Sequence, residues 1–141
     1  MQTNTPVPVL ADSAAASLMA QGRSTVVIVG ADRIAVNGDV ANKVGTYAPA
    51  IAASHHGFPL YVDAPSSTVD AETATRGDIQ IEHRDGDEPR VMIGRSIAPA
   101  GVAVYNPGFD LTPAALITAI ITDQGIQRPP YDFAHATRSR Y

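Results

Sequence analysis

Residues 26–29 of this chain, Val26-Val27-Ile28-Val29, are apolar at every position and run straight into Gly30, Ala31 and a carboxylate, Asp32. A strand with one solvated face alternates apolar and polar residues, whereas one that is apolar on both faces must be covered on both. Thr25–Ala31 therefore reads as a central strand of a parallel sheet, and this segment limits the chain to a layered α/β fold. The remaining pattern agrees. Val7–Leu10, Phe58–Ala64 and Val102–Tyr105 read as further strands. Helical spacing appears at Ala14–Gln21, capped by Asp12 or Ser13, with Leu18 and Met19 facing the core and Gly22 as the stop. It recurs at Val40–His55, capped by Asp39, with Val40, Val44, Tyr47 and Ile51 on one stripe, a kink at Pro49, and Gly57 as the end. A last helix is expected to start at Thr112-Pro113, with Leu116, Ile117, Ile120 and Ile121 on its apolar face and Gly125 past its end. The alternation predicts an α/β fold, a mostly parallel sheet of about four strands with helices on both faces.

The chain has 141 residues, a length that suits one domain spanning residues 1–141. Hydrophobic residues make up 45% and charged residues 17%, which argues against disorder. A net charge of -4 supplies no basic stripe for nucleic acid. Cys is absent, which removes disulfides and a thiol nucleophile from these residues. No apolar run approaches the ~20 residues of a membrane span, and no signal peptide is read before the fold, so a cytoplasmic setting is the default expectation. Ser66–Ser96, rich in Asp, Glu, Arg and Gly, reads as a long excursion with at most a short strand near Ile79–Ile81. Met1–Pro6 reads as a polar leader and Arg128–Tyr141 as a loosely packed tail.

The chemistry concentrates in residues 30–46, GADRIAVNGDVANKVGT. In open parallel sheets, ligands bind outside the carboxyl ends of the strands, which is where Gly30 and Asp32 fall. A carboxylate at the mouth of an apolar strand can be tuned for proton transfer by desolvation; the alternative is a structural Asp that caps a loop or pairs with Arg33. Asn37-Gly38 before a helix start offers backbone N–H groups to an anion, with Lys43 in the first turn, or else is a plain turn beside a solvated Lys. No GxGxxG follows a strand and no GxxxxGK[ST] occurs, so a nucleotide site is unsupported. Asn106-Pro107-Gly108-Phe109-Asp110 falls on the same side of the sheet. Its Asp110 is either a second site carboxylate or a turn residue bonding its own backbone. None of His55, His56, His83 and His135 forms an i, i+4 pair. His55-His56 fits a favourable contact with a helix end better than a metal site.

These residues also carry a resemblance. GADRIAVNGDVANKVGTY resembles the signature of the S-methyl-5-thioribose-1-phosphate isomerase family, within a superfamily that includes ribose-1,5-bisphosphate isomerase and the regulatory subunits of translation initiation factor 2B. The likeness extends through ADSAAASLMAQG, HHGFPLYVDAPSSTVD, IQIEHRD and VYNPGFDLTPAALITAIITDQGI. It implies a Rossmann-like fold, an aldose–ketose isomerase of methionine salvage, Asp32 as the catalytic acid/base, and Asn42 and Lys43 as substrate contacts. Gly30, Asn37, Asn106 and Asp110 would border the cleft. Neither a metal nor an organic cofactor is implied. Keeping Asp32 with Arg33 favours the isomerase branch over a non-catalytic interaction module of the initiation-factor type. The likeness covers the carboxyl-terminal part of that family. The amino-terminal domain, with its arginine-bearing phosphate contacts, and the stretch with the family's cysteine are not matched. The expected partners are thus a sugar-phosphate substrate and either a second copy of the chain or a chain supplying the amino-terminal domain.

Overall fold

The computed structural model describes residues 8–99 and 101–134. The strands are β1 (Val27–Val29), β2 (Arg33–Ala35), β3 (Val40–Lys43), β4 (Leu60–Asp63), β5 (Val69–Asp70), β6 (Val91–Met92), β7 (Arg95–Ser96), β8 (Phe109–Thr112), β9 (Ala119–Thr122) and β10 (Gly125–Gln127). The helices are α1 (Ala15–Ala20), α2 (Tyr47–His56) and the single turn α3 (Asp87–Arg90). One four-stranded sheet runs β1-β4-β9-β10; its first three strands are parallel and β10 closes it antiparallel. A second runs β5-β2-β3-β8, with β2–β5 parallel and the other pairs antiparallel. A two-stranded β6–β7 hairpin stands apart. The class is α/β with a mostly parallel sheet, as the alternation predicts. The second, mixed sheet goes beyond that expectation.

Several elements differ from the sequence expectation, each for an identifiable reason. Val40–Lys43 is a strand, and the helix begins only at Tyr47. Asn37-Gly38 makes a hairpin: the Gly38 amide donates to Ala35 O and the Ala35 amide to Asp39 O, each 2.9 Å. Gly38 sits at φ +84, the left-handed residue that three-residue hairpin loops use. Val40 and Ala41 are then buried as strand residues, while Val44, Tyr47 and Ile51 from the supposed apolar stripe are exposed. The buried face of α2 is instead Ala50, Ala52 and Ala53.

The last helix is not formed either. Phe109–Thr112 is β8, Ala114–Leu116 is a 3-10 turn, and Ala119–Thr122 is β9. The Ile- and Thr-rich run 117–122 suits a strand covered on both sides. Gly125, expected as the helix stop, opens β10 instead. Val102–Tyr105 and Ile79–Ile81 are irregular, and Pro8–Leu10 forms no strand; Val7 lies outside the described residues. β1 lies at a sheet edge with Ile28 63% exposed, not at the centre. Met1–Pro6 lies outside the described residues. Neither Asp12 nor Ser13 caps α1 through its side chain.

The core joins both sheets to the helices. Ile34 and Val40 from the mixed sheet, and Leu60, Val62 and Ile120 from the parallel one, are at most 1% exposed and pack with Ala50, Ala53, Met19 and Phe133. Each of the buried Ile, Val and Leu side chains contributes about 1.5–3 kcal/mol by leaving water. Part of the expected loose tail is docked: the Phe133 amide donates to Val36 O (2.9 Å), Phe133 is buried, and Tyr131 Oη donates to Ile117 O (2.9 Å). The Tyr131 ring lies where a Cβ on Gly38 would be. Gly38→Ala is therefore expected to cost about 2 kcal/mol or more, from the left-handed backbone and the displaced ring together. An unchanged urea midpoint would contradict that.

Candidate active site

β1 delivers Gly30 to the carboxyl ends of the parallel strands, where a Cβ on it would lie 4.0 Å from the Asp63 carbonyl at the end of β4. There the chain crosses into the mixed sheet. Arg33 pairs with Ala41, and the Asp32 amide donates to the carbonyl of that same Ala41 at 2.9 Å. Two residues thus oppose one, as in a β-bulge, a device that re-aims a side chain. The Asp32 side chain is exposed, so the desolvation expected of it is not present in this chain. Arg33 pairs with Asp70 instead, at 3.4 Å. Among the described residues, neither the Asp32 carboxylate nor the Lys43 ammonium has a protein hydrogen-bond or ion-pair partner.

Asn42 and Lys43 end β3 beside the start of β2, so they share one end of the hairpin with Asp32. In the ladder with β8, Asn42 faces Asp110 and Lys43 faces Phe109. Asn42 Nδ2 donates to Thr46 Oγ1 (3.0 Å), which itself donates to the Lys43 carbonyl (2.9 Å). Asp110 bonds not its own turn but the start of α2: its Oδ2 accepts from the amides of Gly45 (2.8 Å) and Tyr47 (3.0 Å). Asn106 lies just before β8, its amide donating to Asp85 O (2.9 Å) and Glu88 Oε2 (3.3 Å).

Asn37 is at the other end of the hairpin, roughly 13 Å along at about 3.3 Å per residue. Its side chain is committed to Asp39, and the chain continues from there into the strand β3, so no helix starts between Asn37-Gly38 and Lys43; α2 begins only at Tyr47, past Lys43. An open cavity of about 350 Å³ beside Asn37, lined by Ala114, Ala115, Pro129, Pro130 and Tyr131, lies away from Asp32 and Lys43. Burial pushes the Tyr131 phenol up to about 12, against the pull of Arg128. His55 and His56 do lie in the last turn of α2; His135 lies outside the described residues.

Sequence reasoning missed two carboxylates. Asp39, expected as a helix cap, is buried and accepts from the Ala114 amide (2.8 Å), Asn37 Nδ2 (2.9 Å) and the Arg76 amide (3.1 Å). Burial alone would raise its pKa, but those three hydrogen bonds and the Arg76 charge together hold it below its ordinary value. Asp123, just past β9, accepts from the Ser66 amide and hydroxyl and from Gln124, which hold it at about 2. Asp123 immediately follows a β-branched run, the one signal that could have placed it at a strand end.

A family model for the initiation factor 2 subunit family, IF-2B, matches residues 1–129. The chain belongs to the IF-2B family. Among the relatives of this IF-2B chain, the methylthioribose-1-phosphate isomerase of Pelotomaculum thermopropionicum is 55% identical over 132 residues, covering 94% of this chain and 36% of that protein. Its counterpart in Anaeromyxobacter dehalogenans is 59% identical over 126 residues, covering 89% and 37%. In structure, the IF-2B chain resembles a 5-methylthioribose 1-phosphate isomerase from Pyrococcus horikoshii OT3 (TM-score 0.86, 48% identity, 91% of this chain and 36% of that one). It also resembles the delta subunit of translation initiation factor eIF-2B from A. fulgidus (TM-score 0.81, 46% identity, 86% and 35%). The chain thus spans little more than a third of the length of these relatives. Among its described residues no helix is long and apolar enough to cross a membrane.

Proposed function

We propose that this chain is one domain of an aldose–ketose isomerase acting on S-methyl-5-thioribose 1-phosphate in the cytoplasm. Identity of 53–59% to proteins named for that activity, over about nine-tenths of this chain, carries the reading. The grouping of Asp32, Asn42 and Lys43 at one end of the β2–β3 hairpin agrees with it. In the reaction the ring C1–O bond breaks, the hydrogen on C2 moves to C1, and the O2 hydrogen is lost as the ring oxygen gains one. Asp32, exposed and without a protein partner among the described residues, serves as the acid toward the ring oxygen or as the shuttle from C2 to C1. Lys43 holds an anionic oxygen of the substrate, with Asn42 beside it.

Orientation and an enclosed, water-poor site provide most of an enzyme's acceleration. With Asp32 and Lys43 open to water, the 141-residue chain alone is expected to show negligible turnover. The open edge at β1, with Ile28 exposed, is where a second copy or the remaining part of a full-length relative would pack. A second reading, an interaction module without catalysis, is favoured by the likeness to the eIF-2B delta subunit. Calorimetric titration of the chain with S-methyl-5-thioribose 1-phosphate separates the two. Saturable binding that Lys43→Met weakens supports the isomerase reading. No binding, alongside stable self-association, supports the module. Robust turnover by the isolated chain would overturn the expectation that it needs a partner.

A further inference from the structure

We propose that Asp110 is a positioning residue which, by anchoring the turn between β3 and α2, sets the direction in which the Lys43 ammonium leaves the sheet toward an anionic sugar. The inference rests on the reading of Lys43 as a substrate contact. After Lys43 the chain must reverse into α2 within three residues, and Lys43, Val44 and Gly45 are all exposed. Gly45 lies at φ +106, where a glycine is free to reorient unless held.

A helix start is ordinarily capped by the side chain just before it. Here Thr46 makes no such cap and turns its hydroxyl back to the Lys43 carbonyl. The cap comes instead from Asp110 on β8, whose Oδ2 takes the Gly45 and Tyr47 amides across sequence separations of 65 and 63. The same Asp110 is in register with Asn42. One side chain therefore ties the end of β3, the turn and the helix to the neighbouring strand.

The arrangement is not the cheapest way to cap a helix. The second carboxylate oxygen, Oδ1, is buried and has no hydrogen-bond partner among the described residues. The carboxylate thus directs one oxygen at the turn and holds the other away from solvent. It also fills the positive end of α2 with a negative charge, so an incoming phosphate is left to Lys43 and not to the helix end.

The test combines amide hydrogen exchange in the ¹⁵N-labelled chain with titration by S-methyl-5-thioribose 1-phosphate. In Asp110→Ala, exchange at Gly45 and Tyr47 is expected to accelerate, and ligand affinity to fall, each about tenfold, the size expected for losing one hydrogen bond. Asp110→Asn, whose amide oxygen can take both N–H groups, should restore both to near the unmodified values. In a Lys43→Met background, Asp110→Ala should cause no further loss of affinity. Should Asp110→Ala fail to fold, Gly45→Ala displaces the same turn: there is open space for its methyl, but it cannot keep φ +106. It should weaken binding only when Lys43 is present. Unchanged exchange, unchanged affinity, or an equal loss in the Lys43→Met background would each overturn the proposal. If the unmodified chain fails to bind, the sugar-phosphate reading falls, and the exchange data still decide whether Asp110 holds the turn.

Discussion

Asp39→Ala is expected to destabilise the chain by about 3 kcal/mol, because three N–H donors would lose the buried carboxylate that accepts from them. Asp39 is 6% exposed and joins three separate segments: the hairpin turn at Asn37, the 3-10 turn that begins at Arg76 and the one that begins at Ala114. Losing it should loosen the hairpin that carries Asp32 and Lys43, and remove a large part of the roughly 5–15 kcal/mol a typical domain has. Asp39→Asn keeps the shape but replaces one acceptor oxygen by a donor facing an N–H, so an intermediate loss is expected. The pH dependence has a definite sign. The folded pKa lies below the ordinary 3.8, so Asp39 stabilises the fold fully above that value. That stability is lost as pH falls through the folded pKa. Urea midpoints measured from about pH 6 downwards should therefore fall below about pH 4 more steeply in the unmodified chain than in Asp39→Ala. Parallel curves would contradict the role given to this carboxylate.

How much of this was legible in the sequence depends on the range of the interactions involved. Local signals worked. Phe58–Ala64 as a strand, Ala15–Ala20 within the expected helix with Gly22 as its stop, and a turn at Asn37-Gly38 all follow from residues within a few positions of one another. Reading that turn as a hairpin would also have made Val40–Lys43 a strand, since Asn-Gly between apolar runs is the strongest short hairpin signal. In 117–122 the helical period and the β-branched content disagree, and burial between β4 and β10 decides for the strand. The bonds that organise the candidate site are not legible at all. Asp39 reaches Ala114 across 75 residues, and Asp110 reaches Gly45 across 65. No local pattern encodes such pairings, because they depend on which strands become neighbours. Asp32, Asn42 and Lys43 stand out by motif, whereas the hairpin that groups them emerges only in the folded chain.

The role given to Asp32 can be measured in a complete protein, made by joining this chain to the remainder of the Pelotomaculum thermopropionicum relative. Ketose 1-phosphate formation would be followed for the unmodified fusion and for Asp32→Asn. Asn keeps the size of the side chain and removes its ability to take and return a proton. Asp32 is exposed and has no side-chain partner among the described residues, so thermal stability and substrate affinity should change little. A positioned general acid or base contributes about 10²–10⁴-fold, and kcat should fall by that much. A kcat within a few-fold of the unmodified fusion, with stability and affinity intact, would contradict the assignment of proton transfer to Asp32.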